Sequence, residues 1–102
     1  MTTALTLVSG PGDDGDRVLS VTGEIDMSNA AEFGAALDRE LGSGAGAGVT
    51  VDLTGVSYLD SAGVAVLFDR AGEHDLRLLA PRLLDRVLRV SGLTQVVKVM
   101  IR

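Results

Sequence analysis

Residues 49–67 read VTVDLTGVSYLDSAGVAVL, and this stretch is the most informative in the chain. It begins with a short β-branched run, continues through a turn segment and then opens a segment of helical spacing with Asp60, Ser61, Ala62 and Gly63. A hydroxyl at a strand-to-helix junction lies beside unpaired backbone N–H groups and the positive end of the helix dipole, where a phosphate is accommodated easily. The pattern predicts that Ser61 is a switch residue.

The composition indicates one small α/β domain spanning residues 1–102. Hydrophobic residues make up 46% of the chain but aromatic residues only 3%, so Val, Leu, Ala and Ile must fill the core. A net charge of −5 argues against nucleic acid as a partner. The absence of cysteine excludes disulfides, thiolate metal sites and cysteine nucleophiles. Without an apolar run of about 18 residues or a signal peptide, we expect a cytoplasmic protein with no membrane partner.

Hydrophobic periodicity and turn residues predict the element order β-β-α-β-α-β-α-β. The predicted strands are residues 5–8, 17–22, 49–53, 76–79 and 96–101, and dense turn formers at 9–16 join the first two as a hairpin. The predicted helices begin with Ser28 as N-cap, with the segment opened by Ser61, and with Pro81 in the first helical position. Their inward-facing residues are Ala30, Phe33, Leu37 and Leu41 in the first, Val64, Leu67, Phe68 and Ala71 in the second, and Leu84, Val87 and Leu88 in the third.

Alternation along the strands predicts a sheet that is covered on one face. In the second and third strands, apolar Leu19 and Val51 alternate with polar Ser20 and Asp52, whereas strands covered on both faces are apolar throughout. Arg77 falls on the polar set as well, as does Lys98. We therefore expect a singly wound mixed sheet with sequential strand order, an antiparallel first strand and helices mainly on one face.

The carboxyl ends of the parallel strands form the expected ligand edge of such a sheet. The turn at residues 23–26 and the loop before Ser61 both emerge there, so Asp26 and Ser61 should share one rim. The alternative is that Asp60 and Ser61 only cap a helix, a common position for both residue types.

At these residues the sequence resembles the bacterial anti-sigma factor antagonists, which are small STAS domains. GEIDMSNA at residues 23–30 resembles the first signature of that family, and residues 51–67 resemble the second. The resemblance implies a β-α superhelix with sequential strand order and makes Ser61 the phosphoacceptor. It also implies that the partner contacts Gly23, Glu24, Asp26, Asp60, Ala62 and Gly63.

The function implied by the resemblance is partner switching. The unphosphorylated chain would bind an anti-sigma factor with serine kinase activity and so release the sigma factor, phosphorylation of Ser61 would abolish binding, and a separate phosphatase would reverse it. The chain itself would be no enzyme and would need no cofactor. Ala62 departs from the family pattern, in which many relatives have a second hydroxyl, and we expect the closing helix common in the family to be missing after Ile101.

Several other interpretations of the sequence compete with this one. Ser61 as an enzyme nucleophile would need an adjacent base, but the single histidine, His74, is predicted far along the helix and near the surface. The glycine run at 42–48 follows a helix, unlike a phosphate loop, and the acidic segment at 13–16 lacks the spacing of a calcium loop. Arg82, Arg86 and Arg89 form a solvated stripe or steer an acidic partner. A constitutive interaction module without phosphorylation is the remaining alternative.

Overall fold

The computed structural model describes residues 4–12, 15–43, 48–72 and 74–102. Within these residues the chain forms five strands, three α-helices and one 3₁₀ turn. They are β1 (Leu5–Pro11), β2 (Arg17–Ile25), α1 (Ala30–Ser43), β3 (Val49–Leu59), α2 (Ser61–Ala71), β4 (Leu76–Ala80), α3 (Arg82–Val90), the 3₁₀ turn (Leu93–Gln95) and β5 (Lys98–Ile101).

The strands follow one another across the sheet in chain order, β1-β2-β3-β4-β5. β1 runs antiparallel to β2, and β2, β3, β4 and β5 run parallel to one another. The predicted singly wound mixed sheet with an antiparallel first strand is confirmed. Because β2, β3 and β4 end on the same side, their carboxyl ends form a common rim.

β3 is longer than predicted, because two bulges interrupt the apolar–polar alternation in its second half. Along its pairing with β2, β3 gains one residue between Asp52 and Gly55 and another between Val56 and Tyr58. Each extra residue resets the alternation, so the buried positions after Leu53 are spaced by three, at Val56 and Leu59. The segment that looked like a turn is therefore strand, and it extends to the residue before Asp60. β2 also extends beyond the prediction, through Gly23 to Ile25.

The three helices of the described residues pack on one face of the sheet, as the alternation predicted. Leu19, Val51 and Leu78 lie on that face and are fully buried, whereas Thr22 and Lys98 on the other face are exposed. α1 contacts β2, α2 contacts β3, and α3 contacts β3 and β4. Burial of apolar surface against this face stabilises the fold by about 25 cal/mol per Å² and is the main stabilising contribution.

An ion pair joins α1 to α2. The guanidinium of Arg70 donates from Nε to Oδ1 of Asp38 at 2.7 Å and from Nη2 to Oδ2 at 2.9 Å, and its Nη1 donates to the carbonyl of Val66 at 3.0 Å. The two-pronged geometry holds the helices in one register. It also holds the pKa of Asp38 below its ordinary value, chiefly through the hydrogen bond from Arg70.

Several predicted element ends were wrong by a few residues. α1 begins at Ala30, so Asn29 rather than Ser28 precedes it, and Pro81 precedes α3 as its N-cap instead of standing inside it. β5 begins at Lys98 rather than at residue 96, because Val96 is the C-cap of the 3₁₀ turn and the N–H groups of Val96 and Val97 donate to the carbonyl of Leu93. Phe68, predicted to face the core, is 37% exposed on α2.

Some interpretations of the sequence lie partly outside the described residues, namely the connector at 44–47 and the acidic pair at 13–14. In the described ranges no helix is long and apolar enough to span a bilayer. The same ranges bring together no group of three or more His, Cys, Asp or Glu side chains that could hold a metal ion.

Candidate functional site

The site predicted from the sequence lies where β2 and β3 end side by side. The backbone N–H of Asp60, the residue after β3, donates to the carbonyl of Ile25, the last residue of β2, at 3.2 Å. Asp26 follows Ile25 directly, and Ser61 follows Asp60. The structure therefore brings Asp26 and Ser61 to one rim, which is where parallel strand ends were expected to place them.

Asp60, and not Ser61, caps α2. Its Oδ1 accepts the backbone N–H groups of Ala62 at 2.9 Å and Gly63 at 3.3 Å, in the extended conformation of an N-cap residue. Ser61 is the first residue of the helix and is exposed. Throughout the described parts of the chain its hydroxyl has no hydrogen-bond partner. The serine therefore performs no capping role.

The turn that bears Asp26 is held from inside by Asn29. Oδ1 of Asn29 accepts the backbone N–H of Asp26 at 3.0 Å, and its Nδ2 donates to the carbonyl of Glu24 at 2.8 Å. The Asn29 side chain is buried, at 2% exposure. Asp26 in turn accepts from the N–H of Ser28 at 2.9 Å and from its hydroxyl at 2.6 Å. These bonds fix the Asp26 carboxylate at the start of α1.

The two glycines among the predicted contact residues have clear roles in packing. Gly23 has φ of +113°, and a Cβ there would collide with the carbonyl of Ala4 in the chain before β1. Gly63 is buried, and a Cβ there would overlap the side chains of Ile25 and Leu59. Gly63 thereby lets the first turn of α2 approach the ends of β2 and β3. Of the other predicted contact residues, Glu24 is exposed and Ala62 half-buried.

An apolar groove opens beside Ser61, between the first turn of α2 and the outer face of α3. It encloses about 480 Å³ and is lined by Ser61, Val64, Leu83, Arg86, Val87, Val90 and Ser91. Leu83 is 66% exposed and Val90 79% exposed. These side chains recur along α3 at helical spacing, so one face of the helix is apolar and turned away from the core. Such a surface is typical of protein-binding sites.

The arginines of α3 differ in their surroundings. Arg89 pairs with Asp85 one turn earlier on the same helix, at 2.5 Å. Arg86 lines the groove, and no carboxylate of the described residues lies within ion-pair distance of it. Arg82 is exposed and does not line the groove. Of the predicted stripe, Arg86 thus lines the same groove as Ser61.

The rim also exposes apolar surface beside Asp26. Met27, between Asp26 and α1, is 83% exposed. Met27 beside Asp26, and Leu83 and Val90 in the groove with Ser61, are thus exposed apolar side chains. A polar centre with apolar surroundings of this kind suits a protein partner better than a small substrate.

His74 lies beyond the end of α2 and is exposed, as predicted from the sequence. Ser61 lies at the opposite end of that helix, so the histidine is not placed to act as its base. The site offers a hydroxyl and carboxylates at its rim, and a groove with a guanidinium.

Sequence reasoning missed two residues of this site. Asn29 appeared only as part of the turn, although an asparagine between an acidic turn and a predicted helix is a sequence signal for a side chain that bonds to backbone groups. Arg86 was grouped with Arg82 and Arg89, since helical spacing alone does not show which arginine faces the neighbouring helix.

Comparison with known families identifies one matching family model, described as "Mlab, STAS domain", which aligns with residues 11–101. No curated protein sequence matches the chain.

Solved structures with the same fold include proteins described as anti-sigma factor antagonists. One from Mycobacterium paratuberculosis is 24% identical, with a TM-score of 0.84, over 94% of this chain and 85% of that one. A putative antagonist from Thermotoga maritima is 22% identical, with a TM-score of 0.72, over 94% and 86%. SpoIIAA in its unphosphorylated form is 23% identical, with a TM-score of 0.70, over 97% and 88%. At these identities the likeness concerns the fold.

Proposed function

This chain belongs to the STAS domain family, and we propose on that basis that it is an anti-sigma factor antagonist controlled by phosphorylation of Ser61. The unphosphorylated form binds an anti-sigma factor that is also a serine kinase, and the bound sigma factor is released. A separate phosphatase restores the active form. The chain acts by binding, without enzymatic activity of its own, in the cytoplasm.

The observation that supports this proposal most directly is the position of the Ser61 hydroxyl. Ser61 is an exposed residue at the start of α2, and Asp60 already performs the capping that a serine there would otherwise provide. A kinase active site can therefore reach the oxygen without unfolding the helix. The three solved antagonists have the same fold, which supports a common mode of action.

The modification is an ordinary phosphoryl transfer. The Ser61 oxygen attacks the γ-phosphorus of ATP, an O–P bond forms, and the bond from the γ-phosphorus to the bridging oxygen of ADP breaks. The hydroxyl proton passes to a base on the kinase, which also supplies the metal ion. The product adds about 1.5 to 2 negative charges at the rim near pH 7.

These charges would oppose binding because they arise at the centre of the contact surface. The rim already bears the carboxylates of Asp26 and Asp60, and a partner that covers Ser61 would have to desolvate the phosphate among them. Burying an unpaired charge costs several kcal/mol, and each 1.4 kcal/mol is about tenfold in affinity. We expect the affinity for the anti-sigma factor to fall about a hundredfold or more.

The test begins with the purified chain, candidate anti-sigma kinases and ATP, followed by peptide mapping of added phosphate. Phosphate should be found on the peptide that contains Ser61. Ser61→Ala should bind the same kinase with unchanged affinity in calorimetry and accept no phosphate, and Ser61→Asp should bind poorly.

Ser91→Ala is the matched control. Ser91 lines the same groove, but its hydroxyl donates to the carbonyl of Leu88 at 2.9 Å and accepts the N–H of Leu93 at 3.3 Å. This variant should be phosphorylated like the wild type. If Ser61→Ala lost the partner while its circular dichroism and melting stayed normal, the hydroxyl would be a binding contact and not a switch.

A constitutive interaction module is the second candidate. The groove with exposed Leu83 and Val90 is already open in the unmodified chain, and this observation favours a module that binds its partner without phosphorylation. In that case the partner would bind at the same rim, and no cognate kinase would transfer phosphate to the chain. Mass spectrometry of the protein isolated from cells would find no phosphate on residue 61.

A further inference from the structure

We infer that Arg86 is the counter-ion of the phosphate on Ser61, so that phosphorylation closes the groove between α2 and α3 from within the molecule. This inference rests on the proposed phosphorylation of Ser61. It concerns which side chain the attached phosphate pairs with, and the charge of the rim alone does not determine this.

The first step in the argument is that the N-terminus of α2 is already occupied. The Asp60 carboxylate accepts the N–H groups of Ala62 and Gly63, the two residues that follow Ser61 in the first turn of α2. A phosphate on Ser61 therefore cannot take these donors without displacing the cap. It also has a carboxylate as its immediate neighbour in the chain, which repels it.

The second step is that a guanidinium is available across the groove. Arg86 and Ser61 line the same cavity from opposite helices. Arg86 is exposed and has no ion-pair partner in the described residues, so moving it toward a phosphate breaks no existing bond. Arginine matches the oxygens of a phosphate with two parallel N–H donors, a geometry that lysine does not offer.

The third step concerns the effect on the groove. Before phosphorylation, the groove presents Leu83 and Val90 together with a cation that can receive an acidic group of the partner. Afterwards the phosphate neutralises that cation and bridges the mouth of the groove between α2 and α3. The partner then meets a closed groove as well as a charged rim. Phosphorylation removes a binding feature in addition to placing repulsive charge.

The second pKa of phosphoserine measures this ion pair directly. Its ordinary value is about 6, and an opposite charge a few Å away lowers it, whereas neighbouring carboxylates raise it. The charged groups near the phosphate are Asp26 and Asp60 at the rim and Arg86 in the groove. We expect Arg86 to lower the pKa by about 0.5 to 1 unit, and concentrated salt to reduce the shift because the pair is exposed.

The experiment uses the full chain with phosphoserine inserted at position 61 during translation, so that no kinase is needed. The phosphate is titrated by ³¹P NMR in the wild type, in Arg86→Gln and in Arg82→Gln. Arg82 lies on the same helix, is exposed and does not line the groove, so its replacement removes the same charge at a control position. Circular dichroism of each variant checks the fold.

We expect the pKa to rise by about 0.5 to 1 unit in Arg86→Gln and to change little in Arg82→Gln. Equal pKa values in the wild type and Arg86→Gln would overturn the inference, as would equal rises in both variants, which would indicate the general field of α3. The proposed function is tested separately. If the kinase fails to modify Ser61, or if the phosphorylated chain still binds its partner, that proposal fails whatever the titration shows.

Discussion

At the scale of single residues, the site separates side chains that hold the fold from the Ser61 hydroxyl, which does not. Asp60 caps α2, Asn29 holds the turn of Asp26, and Gly63 permits close packing, whereas Ser61 takes part in none of these contacts. The sequence predicted Ser61 and Asp26 because their positions after parallel strands follow from strand order. It could not assign capping to Asp60 rather than Ser61, since both residue types cap helices well.

Gly63→Ala tests the packing role. The added Cβ would overlap Ile25 and Leu59, whose side chains are buried, so we expect a loss of about 1–3 kcal/mol in the free energy of unfolding. Urea denaturation measures it. Gly42→Ala is the matched control, because Gly42 lies in α1 with nothing within 4 Å of an added Cβ.

The control should be neutral or stabilising by up to about 1 kcal/mol, since alanine is the better helix former. Unchanged stability in Gly63→Ala would show that the ends of β2 and β3 shift to accommodate the added methyl group, contrary to the packing described above.

At the scale of elements, the accuracy of the prediction depended on how regular each strand is. The first part of β3 and the whole of β4 alternate without interruption, and both were predicted close to their observed bounds. The second half of β3 was missed because two extra residues shift the register and because Gly55 and Ser57 are typical of turns. Bulges depend on pairing with β2, which local sequence does not encode.

The end of the chain gives a second example. Val96 and Val97 have strand propensity, but Leu93 and Val97 are buried against the helices, and the 3₁₀ turn that places them precedes β5. Tertiary packing determined the boundary here and overrode local propensity.

The ion pair between α1 and α2 gives a prediction on pH. Arg70 lowers the pKa of Asp38 below its ordinary value of 3.8 in the folded chain. The pair therefore stabilises the fold above the unfolded-state pKa, and this contribution is lost as the pH falls through the lowered folded-state pKa. Because the Asp38 side chain is 58% exposed, the contribution at pH 7 should be no more than about 0.5 kcal/mol.

The measurement compares urea denaturation of the wild type and Asp38→Asn between pH 2 and 7. The wild type should be the more stable protein at pH 7, and the difference should vanish at the acid end. A difference that stays constant over this range would mean that the asparagine removes packing and not charge.

At the scale of the whole molecule, the rim and groove form one surface at the carboxyl ends of the strands. The chain has a net charge of −5, yet the groove presents Arg86, which has no ion-pair partner in the ranges that the structure describes. A partner with a basic patch for the turn and an acidic group for Arg86 would be oriented before contact. This division of charge favours one docking orientation over its reverse.

Phosphorylation should leave the fold as it is. Ser61 is exposed and the cap bonds of Asp60 do not involve its hydroxyl, so the phosphate has no core contact to disturb. Backbone amide NMR spectra of the two forms should differ only for residues around the rim, the first turn of α2 and the groove face of α3. Shifts spread over β1 and the open face of the sheet would instead indicate a conformational change.

The division of work between Asp60 and Ser61 has a genetic consequence. Under the proposed phosphorylation, an allele that replaces the serine would lose the signal while its product accumulated to normal levels, because no hydrogen bond among the described residues involves that oxygen. An allele that replaces the buried Gly63 would instead lower the amount of protein in the cell, because quality control would remove the destabilised chains. Substitutions at position 61 during evolution would therefore add or remove regulation without lowering the abundance of the protein.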